Sequence, residues 1–120
     1  METAARVIGP LVLIAGTILV LVLIRRCADG RIGVNPLVGI RTPLVMSGEE
    51  TWLAAHRAAL PIMQRWCIPS LVLAVLAVIL PWDFATAACM VIAVVLLLIG
   101  VARGSLRGIR AARSLVDERD

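Results

Sequence analysis

The chain has 120 residues, 61% of which are hydrophobic, and its mean hydropathy is +0.99. This composition excludes a soluble globular domain and predicts an integral membrane protein. All twelve basic residues are arginines, and the formal net charge is +4. Because the arginines flank apolar runs and do not alternate with aromatic residues, they indicate contact with anionic lipid headgroups and argue against nucleic acid binding.

The first apolar run predicts a transmembrane helix over residues 7–24. These eighteen residues carry no charge, and as a helix they would span about 27 Å of a hydrocarbon core that is about 30 Å thick. A cleaved signal peptide is the alternative. The run ends at Arg25 and Arg26 without a small-residue cleavage site, which favours the transmembrane helix.

A polar stretch over residues 35–59 interrupts the apolar sequence. Pro43 disfavours a helical conformation at Thr42 and has no backbone N–H, so this pair predicts a turn. Ser47 is then the expected N-cap of a helix, and Glu50, three residues later, would complete a capping box. The pattern predicts that a helix begins directly after the serine.

The predicted helix covers residues 48–60, because Pro61 removes a backbone hydrogen bond and should bend the chain. Its helical projection has one mainly apolar face, formed by Trp52, Ala55, Ala59, Ile62 and Trp66. Such an amphipathic helix is expected to lie at the membrane surface. The two tryptophans are predicted to be interfacial anchors, directed toward lipid headgroups or a neighbouring helix.

The same stretch contains a motif with a defined order and spacing: Gly39-Ile40-Arg41-Thr42-Pro43, then Ser47, then Trp52, then His56-Arg57. This motif resembles the signature of the SdpI family of small bacterial membrane proteins. The resemblance implies a helical membrane topology. It also implies toxin immunity or envelope signalling, because the family is named after a protein that protects its producer against a secreted toxin and relays toxin arrival to a transcriptional repressor.

Two further spans are predicted, over residues 66–80 and 85–101, with a tight turn at residues 81–84. The turn contains two aromatic residues, which are typical of a membrane interface. Glycines repeat at intervals of four near the end of the third span and permit close helix contact: Gly100, Gly104 and Gly108.

The tail over residues 102–116 is a basic amphipathic segment in which Arg103, Arg107 and Arg110 share one face. It is expected to continue the third helix and to rest on anionic headgroups. Arginines are abundant in this tail and between the first two spans, and residues 81–84 contain none. The positive-inside rule therefore predicts an external N-terminus and a cytoplasmic C-terminus. The family resemblance implies that the membrane is the bacterial plasma membrane.

Two roles are open for Arg41. It can bind a carboxylate, a lipid phosphate or an acidic partner, or it can pair with Glu49, Glu50 or a backbone carbonyl and stabilise the turn. The second role is favoured. For His56, the only histidine, an interfacial hydrogen bond to the backbone is favoured over ligand contact or pH sensing.

No catalytic or cofactor site is expected. Ser47, Glu49 and His56 contain suitable groups for a triad, but the acid and the imidazole would lie about 10 Å apart along a helix. The three cysteines have no metal-binding spacing and are expected to be small buried hydrophobes. We therefore expect neither a metal site nor enzymatic activity.

The sequence predicts a single-domain, all-α membrane protein with three transmembrane helices and a cytoplasmic interfacial amphipathic helix between the first and second. Two classes of function remain. One is immunity to a peptide toxin or envelope signalling, as the family resemblance implies. The other is an accessory subunit that stabilises a larger transport or envelope-assembly complex, and a homo-oligomer would satisfy the same packing requirements.

Overall fold

The computed structural model describes residues 3–119, which form three long α-helices and one short 3₁₀ turn, with no strand in that range. Helix α1 comprises Thr3–Ala28, α2 comprises Glu49–Ile79 and α3 comprises Asp83–Arg119, while Val45–Ser47 form the 3₁₀ turn. Helices α2 and α3 are an antiparallel hairpin, and α1 packs mainly on α2.

Each of the three helices is long and apolar enough to cross a membrane, as expected of a multi-pass membrane protein. The molecule measures 58 × 20 × 19 Å, so it is nearly twice as long as the ~30 Å hydrocarbon core of a bilayer. The hairpin is therefore longer than the hydrocarbon core. We call the end of the molecule with residues 25–65 and 102–119 the basic end, and the end with residues 80–83 the turn end.

The prediction of a separate interfacial helix over residues 48–60 is wrong. Helix α2 continues through Pro61 and includes nearly all of the second predicted span in one 31-residue helix, about 46 Å long. Ala59 and Met63, on either side of the proline, are buried and pack against Gly104 of α3. This packing holds the helix together where the proline removes one backbone hydrogen bond.

The predicted capping box is also wrong, although α2 begins where the pattern places it. Gly48 is the N-cap, and no side chain caps the helix. The Ser47 hydroxyl belongs to the 3₁₀ turn and donates to the Leu44 carbonyl oxygen at 2.6 Å. Glu50 forms an ion pair with Arg119 near the end of α3, and its carboxylate thus joins the two helices instead of closing a cap.

The glycine repeat of α3 faces α2, and all three glycines are buried. A Cβ at Gly100 would lie 2.6 Å from the Trp66 Cβ, and one at Gly108 would lie 2.7 Å from the Ala55 carbonyl oxygen. Real Cβ atoms do not approach other atoms so closely. The predicted close contact is confirmed, and we call this row of glycines the glycine seam.

The tail continues α3 to Arg119, as predicted. However, Gly104, Gly108 and Ala112 bury one side of it, and the first half of α2 covers this side. The tail is therefore part of the α2–α3 hairpin and not a segment lying separately on the membrane surface. Its predicted basic face is exposed.

Polar side chains connect the helices near the turn end. Ser70 of α2 donates to the Ala93 carbonyl oxygen of α3 at 2.6 Å. Arg6 of α1 donates to the Leu80 carbonyl oxygen at 2.5 Å and pairs with Asp83 at 3.1 Å. The two Arg6 contacts hold the start of α1 against the turn between α2 and α3.

We expect Gly108→Ala to lower the free energy of unfolding by about 1–3 kcal/mol, because its methyl group would meet a backbone oxygen that cannot move independently of α2. Gly16→Ala is the matched control, since a Cβ there has no neighbour within 4 Å. Unfolding of both variants in mixed detergent micelles measures the difference. Equal stability of the two variants would contradict the assigned packing.

Candidate functional site: the connector and its clamp

Residues 29–48 connect α1 to α2, and we call them the connector. The side chain of Asn35 organises its first half. The Asn35 Oδ1 accepts hydrogen bonds from the backbone N–H groups of Leu37 at 2.9 Å and Val38 at 2.8 Å, and Nδ2 donates to the Gly33 carbonyl oxygen at 2.8 Å. No role was predicted for this asparagine, although an Asn-Pro pair is typical of a turn.

Trp52 and His56 of α2 hold the connector from inside, and we call this pair the clamp. The Trp52 Nε1 donates to the Ile32 carbonyl oxygen at 2.8 Å, and the His56 Nε2 accepts from the Ile40 N–H at 3.0 Å. The two ring centroids are 4.2 Å apart, as expected for side chains four residues apart on one helix face. Both side chains are fully buried.

The hydrogen bonds of His56 define its tautomer. Its Nδ1 lies 2.7 Å from the Trp52 carbonyl oxygen, so Nδ1 carries the hydrogen and Nε2 is the acceptor for the connector. A protonated ring would have no acceptor left for the Ile40 N–H. Burial lowers the pKa of His56 from its ordinary value of 6.5, and the hydrogen bond to Trp52 raises it by less.

His56 lies ten residues before Trp66, in the part of α2 that precedes the predicted span. Its hydrogen bonds go to backbone groups, as the favoured prediction has it, and they are buried in the protein core. Trp52 is likewise buried, so its ring faces the protein interior, the second of its two predicted directions, and not lipid headgroups. Direct contact of either clamp residue with a partner or lipid is therefore excluded in this conformation.

Gly39 allows the connector to pass over the clamp. Its φ is +103°, and a Cβ would lie 2.7 Å from both the His56 Nε2 and the Trp52 Cη2. Only glycine adopts this backbone conformation without strain, and only glycine leaves room for the two rings. The family-like motif thus contains a glycine at a position that admits no side chain.

Three further polar side chains complete the connections. Arg57 Nε donates to the carbonyl oxygen of Ala28, the last residue of α1, at 3.1 Å, as basic side chains often do at helix C-termini. The Thr51 hydroxyl donates to the Val45 carbonyl oxygen at 3.0 Å, and the Thr42 Oγ1 accepts from the Val45 N–H at 3.4 Å. The predicted turn after Thr42 is therefore tied directly to α2.

Arg41 differs from the other motif residues because its side chain is exposed. Within residues 3–119, no carboxylate lies within ion-pair distance of its guanidinium, and no side-chain hydrogen bond involves it. Glu50 pairs with Arg119 instead. The favoured prediction, that Arg41 pairs with a neighbouring glutamate or a backbone carbonyl, is wrong, and the guanidinium faces outward.

An apolar groove of about 250 Å³ lies beside the connector, and we call it the connector groove. Residues of all three helices and the connector line it, among them Val20, Ile24, Gly39, Ile40, Met63 and Val101. Leu37, which also lines it, is 83% exposed. Arg41 directly follows the lining residue Ile40 in the chain, but its side chain is not part of the groove lining.

The remaining predicted interaction residues lie elsewhere. Trp66 is fourteen residues beyond Trp52, about 21 Å along the helix axis. It is partly buried, and the Arg103 guanidinium carbon lies 5.3 Å from its ring centroid. Arg107 and Arg110 are exposed on the same part of α3. The structure therefore separates the predicted residues into two places.

The described part of the chain offers no obvious place for a resident metal ion. Within residues 3–119, no group of three His, Cys, Asp or Glu side chains is arranged to bind one. Cys27, Cys67 and Cys89 are all free thiols, and the first two are buried.

A family model described as the SdpI/YfhL protein family matches residues 31–106. This match covers more than half of the 120 residues. The chain belongs to the SdpI/YfhL family. In this SdpI/YfhL protein the matched region contains the clamp, Gly39, Arg41 and the glycine seam as far as Gly104. No curated protein and no solved structure matches the chain.

Replacing Gly39 with alanine should destabilise the protein more than the same change at Gly30. Both glycines have positive φ, +103° and +84°, but the Cβ at Gly30 would only make ordinary contact with Leu53 at 3.7 Å. We expect a loss of about 1 kcal/mol for Gly30→Ala and about 3 kcal/mol for Gly39→Ala. Unfolding in mixed detergent micelles measures the free energy of unfolding of both variants. Equal losses of stability would show that backbone strain alone is responsible.

The free energy of unfolding should fall as the pH is lowered from 7.5 to 6.0. Burial lowers the pKa of His56 in the folded state, so the folded state disfavours protonation of the ring. The contribution of the neutral ring to the free energy of unfolding is therefore complete above the pKa of the unfolded state, about 6.5, and decreases below it. Unfolding in mixed detergent micelles at pH 7.5 and pH 6.0 measures the difference in the free energy of unfolding. His56→Gln should remove most of the difference, and a difference retained in the variant would assign it to other groups.

Proposed function

We propose that this SdpI/YfhL protein is a non-enzymatic binding protein of the bacterial plasma membrane that recognises a membrane-active peptide toxin and thereby acts in immunity or envelope signalling. The observation that carries the proposal is that Arg41, within an ordered connector, is exposed and has no partner among residues 3–119. The backbone on either side of it is held by the Ile40 N–H bond to His56 and by the Met46 N–H bond to the Thr42 carbonyl oxygen. Little backbone freedom is then lost on binding.

The connector groove supports the same proposal. A guanidinium binds carboxylates through paired N–H groups, and the adjacent groove offers apolar contact through Leu37, Ile40 and Val101. This combination suits an amphipathic peptide that carries a carboxylate. Because Val20 and Val101 come from membrane-crossing helices, such a peptide would reach the groove from within the bilayer.

We propose that the basic end faces the cytoplasm. The connector and the end of α3 contain most of the arginines, and the turn between α2 and α3 contains none. Such an asymmetry is typical of a membrane protein whose arginine-rich side is cytoplasmic. The turn end and the start of α1 then lie outside. A toxin bound at the connector would consequently be sensed on the cytoplasmic side of the membrane.

A second candidate function is that of an accessory subunit in a larger transport or envelope-assembly complex. The observation that favours it is an exposed apolar row on α1, formed by Ile8, Leu11, Val12, Ile18 and Leu19. Gly16, also on α1, has no atom near the position of a Cβ, so another helix can approach there closely. A larger partner or a second copy of this chain would cover that row.

Arg41→Gln should reduce survival of a toxin-challenged producer strain by about tenfold or more, because one charge-assisted contact is lost. Arg31→Gln is the matched control, since it removes the same charge from another exposed connector position. Membrane abundance and thermal stability of both variants should equal those of the wild type. Equal survival of the two variants, or a loss of protein with Arg41→Gln, would contradict the proposed role.

Native purification of the tagged chain in a mild detergent distinguishes the two functions. Mass measurement and partner identification should give a monomer or homo-oligomer if the protein acts directly on a toxin. A stoichiometric complex with a larger membrane protein would instead support the accessory role and contradict independent immunity.

A further inference from the structure

A second groove, of about 340 Å³, lies between α2 and α3 on the basic end, and we call it the arginine groove. Four arginines line it, Arg65 of α2 and Arg103, Arg107 and Arg110 of α3, together with Trp66 and two aliphatic side chains. No acidic residue is part of the lining. The sequence pattern predicted a shared face only for the three arginines of α3. The packing of α2 on α3 places Arg65 beside them.

The described part of the chain does not neutralise the charge of this groove. Within residues 3–119, the ion pairs involve Arg6 with Asp83 and Arg119 with Glu50, and none of the four groove arginines is paired with a carboxylate. Arg103, Arg107 and Arg110 follow one another at spacings of four and three residues. Like charges at these spacings repel each other on a helix, so a bound anion would relieve the repulsion.

Trp66 orients one of these charges. The Arg103 guanidinium carbon lies 5.3 Å from the centroid of the indole ring, a distance at which cation–π attraction is significant. This contact restrains the guanidinium and leaves N–H groups available for hydrogen bonds to phosphate oxygens. The groove therefore has a partly ordered donor in addition to its net charge.

The predicted bounds of the third span place the groove at the level of the lipid headgroups. Trp66 lies level with Gly100, because a Cβ on this glycine would be 2.6 Å from the Trp66 Cβ. Gly100 is next to the last residue of the predicted span over residues 85–101, where the hydrocarbon core ends. From Arg103 to Arg110 the helix rises about 10 Å, comparable with the headgroup layer, which is about 5–8 Å thick on each side.

We propose that the arginine groove binds the phosphate of an anionic membrane lipid. The arginines would contact the phosphate oxygens, and Trp66 with the neighbouring Ile62 and Leu106 would contact the glycerol and the upper acyl chains. The proposal does not depend on the role of Arg41, because the two sites use different residues.

The experiment measures how many lipids the delipidated full-length protein retains when phosphatidylglycerol or phosphatidylcholine with identical chains is added in detergent. Native mass spectrometry gives the number. We expect the wild type to retain phosphatidylglycerol preferentially. The double variant Arg103→Gln/Arg107→Gln should reduce its affinity by about tenfold or more, because each phosphate contact near a membrane surface contributes several-fold.

Arg25→Gln/Arg26→Gln is the matched control, because it removes two exposed charges from the same end of the molecule outside the groove. It should retain the wild-type affinity. An equal loss in both double variants would overturn the proposal in favour of non-specific attraction. Inorganic phosphate at the same concentration should not displace the lipid, and efficient displacement would show that the groove recognises a free anion.

Gel filtration and circular dichroism establish whether the double variant folds. If it does not, Arg110→Gln replaces it, because the Arg110 side chain is exposed and has no hydrogen bond or ion pair to another residue among residues 3–119. We then expect about threefold weaker binding of phosphatidylglycerol and unchanged binding of phosphatidylcholine. Unchanged binding of both lipids to this variant would overturn the proposal.

Discussion

The close packing of α3 on α2 is the constraint on which the other features of this protein depend, and Gly108 is where that packing meets the connector. A Cβ there would lie 2.7 Å from the Ala55 carbonyl oxygen and 2.8 Å from the Ile40 Cδ1. Because lipid is as apolar as the helices, hydrophobic burial does not drive helix association inside a membrane, and close van der Waals contact must. The glycine seam supplies this contact and continues it beyond the bilayer.

The seam also determines where the two grooves lie. Gly100, Gly104 and Gly108 form the middle of the α3 surface that faces α2. Lining residues of the connector groove, such as Val101, lie to one side of this row, and the arginines of the second groove lie to the other. One helix therefore contributes an apolar surface and a basic surface. Since both are held by the same backbone contact, a change in the seam would alter both.

The connector presents a different physical problem, because it has little secondary structure and its backbone donors and acceptors need partners. Trp52, His56 and Asn35 supply them from side chains. Most of the motif that resembles the SdpI/YfhL signature thus stabilises the connector from inside. Arg41 is the exception, since its side chain faces outward without a partner among residues 3–119. The motif thus contains residues that hold the connector backbone in place and, in Arg41, one exposed charged side chain on that backbone.

The sequence by itself determined the helical class, three segments long and apolar enough to cross a membrane, and the close contact along α3. These follow from apolar run length and glycine spacing, which are local properties. The sequence also predicted a turn between the last two segments, at residues 81–84, although α3 already begins at Asp83. Only the tertiary structure decided that α2 continues through Pro61 and that Trp52 and His56 are buried. It also decided that Arg41 has no partner among residues 3–119, while Glu50 pairs with Arg119. A helical projection shows which residues share a face, but it cannot show whether lipid, water or another helix covers that face. That depends on contacts between residues far apart in the chain.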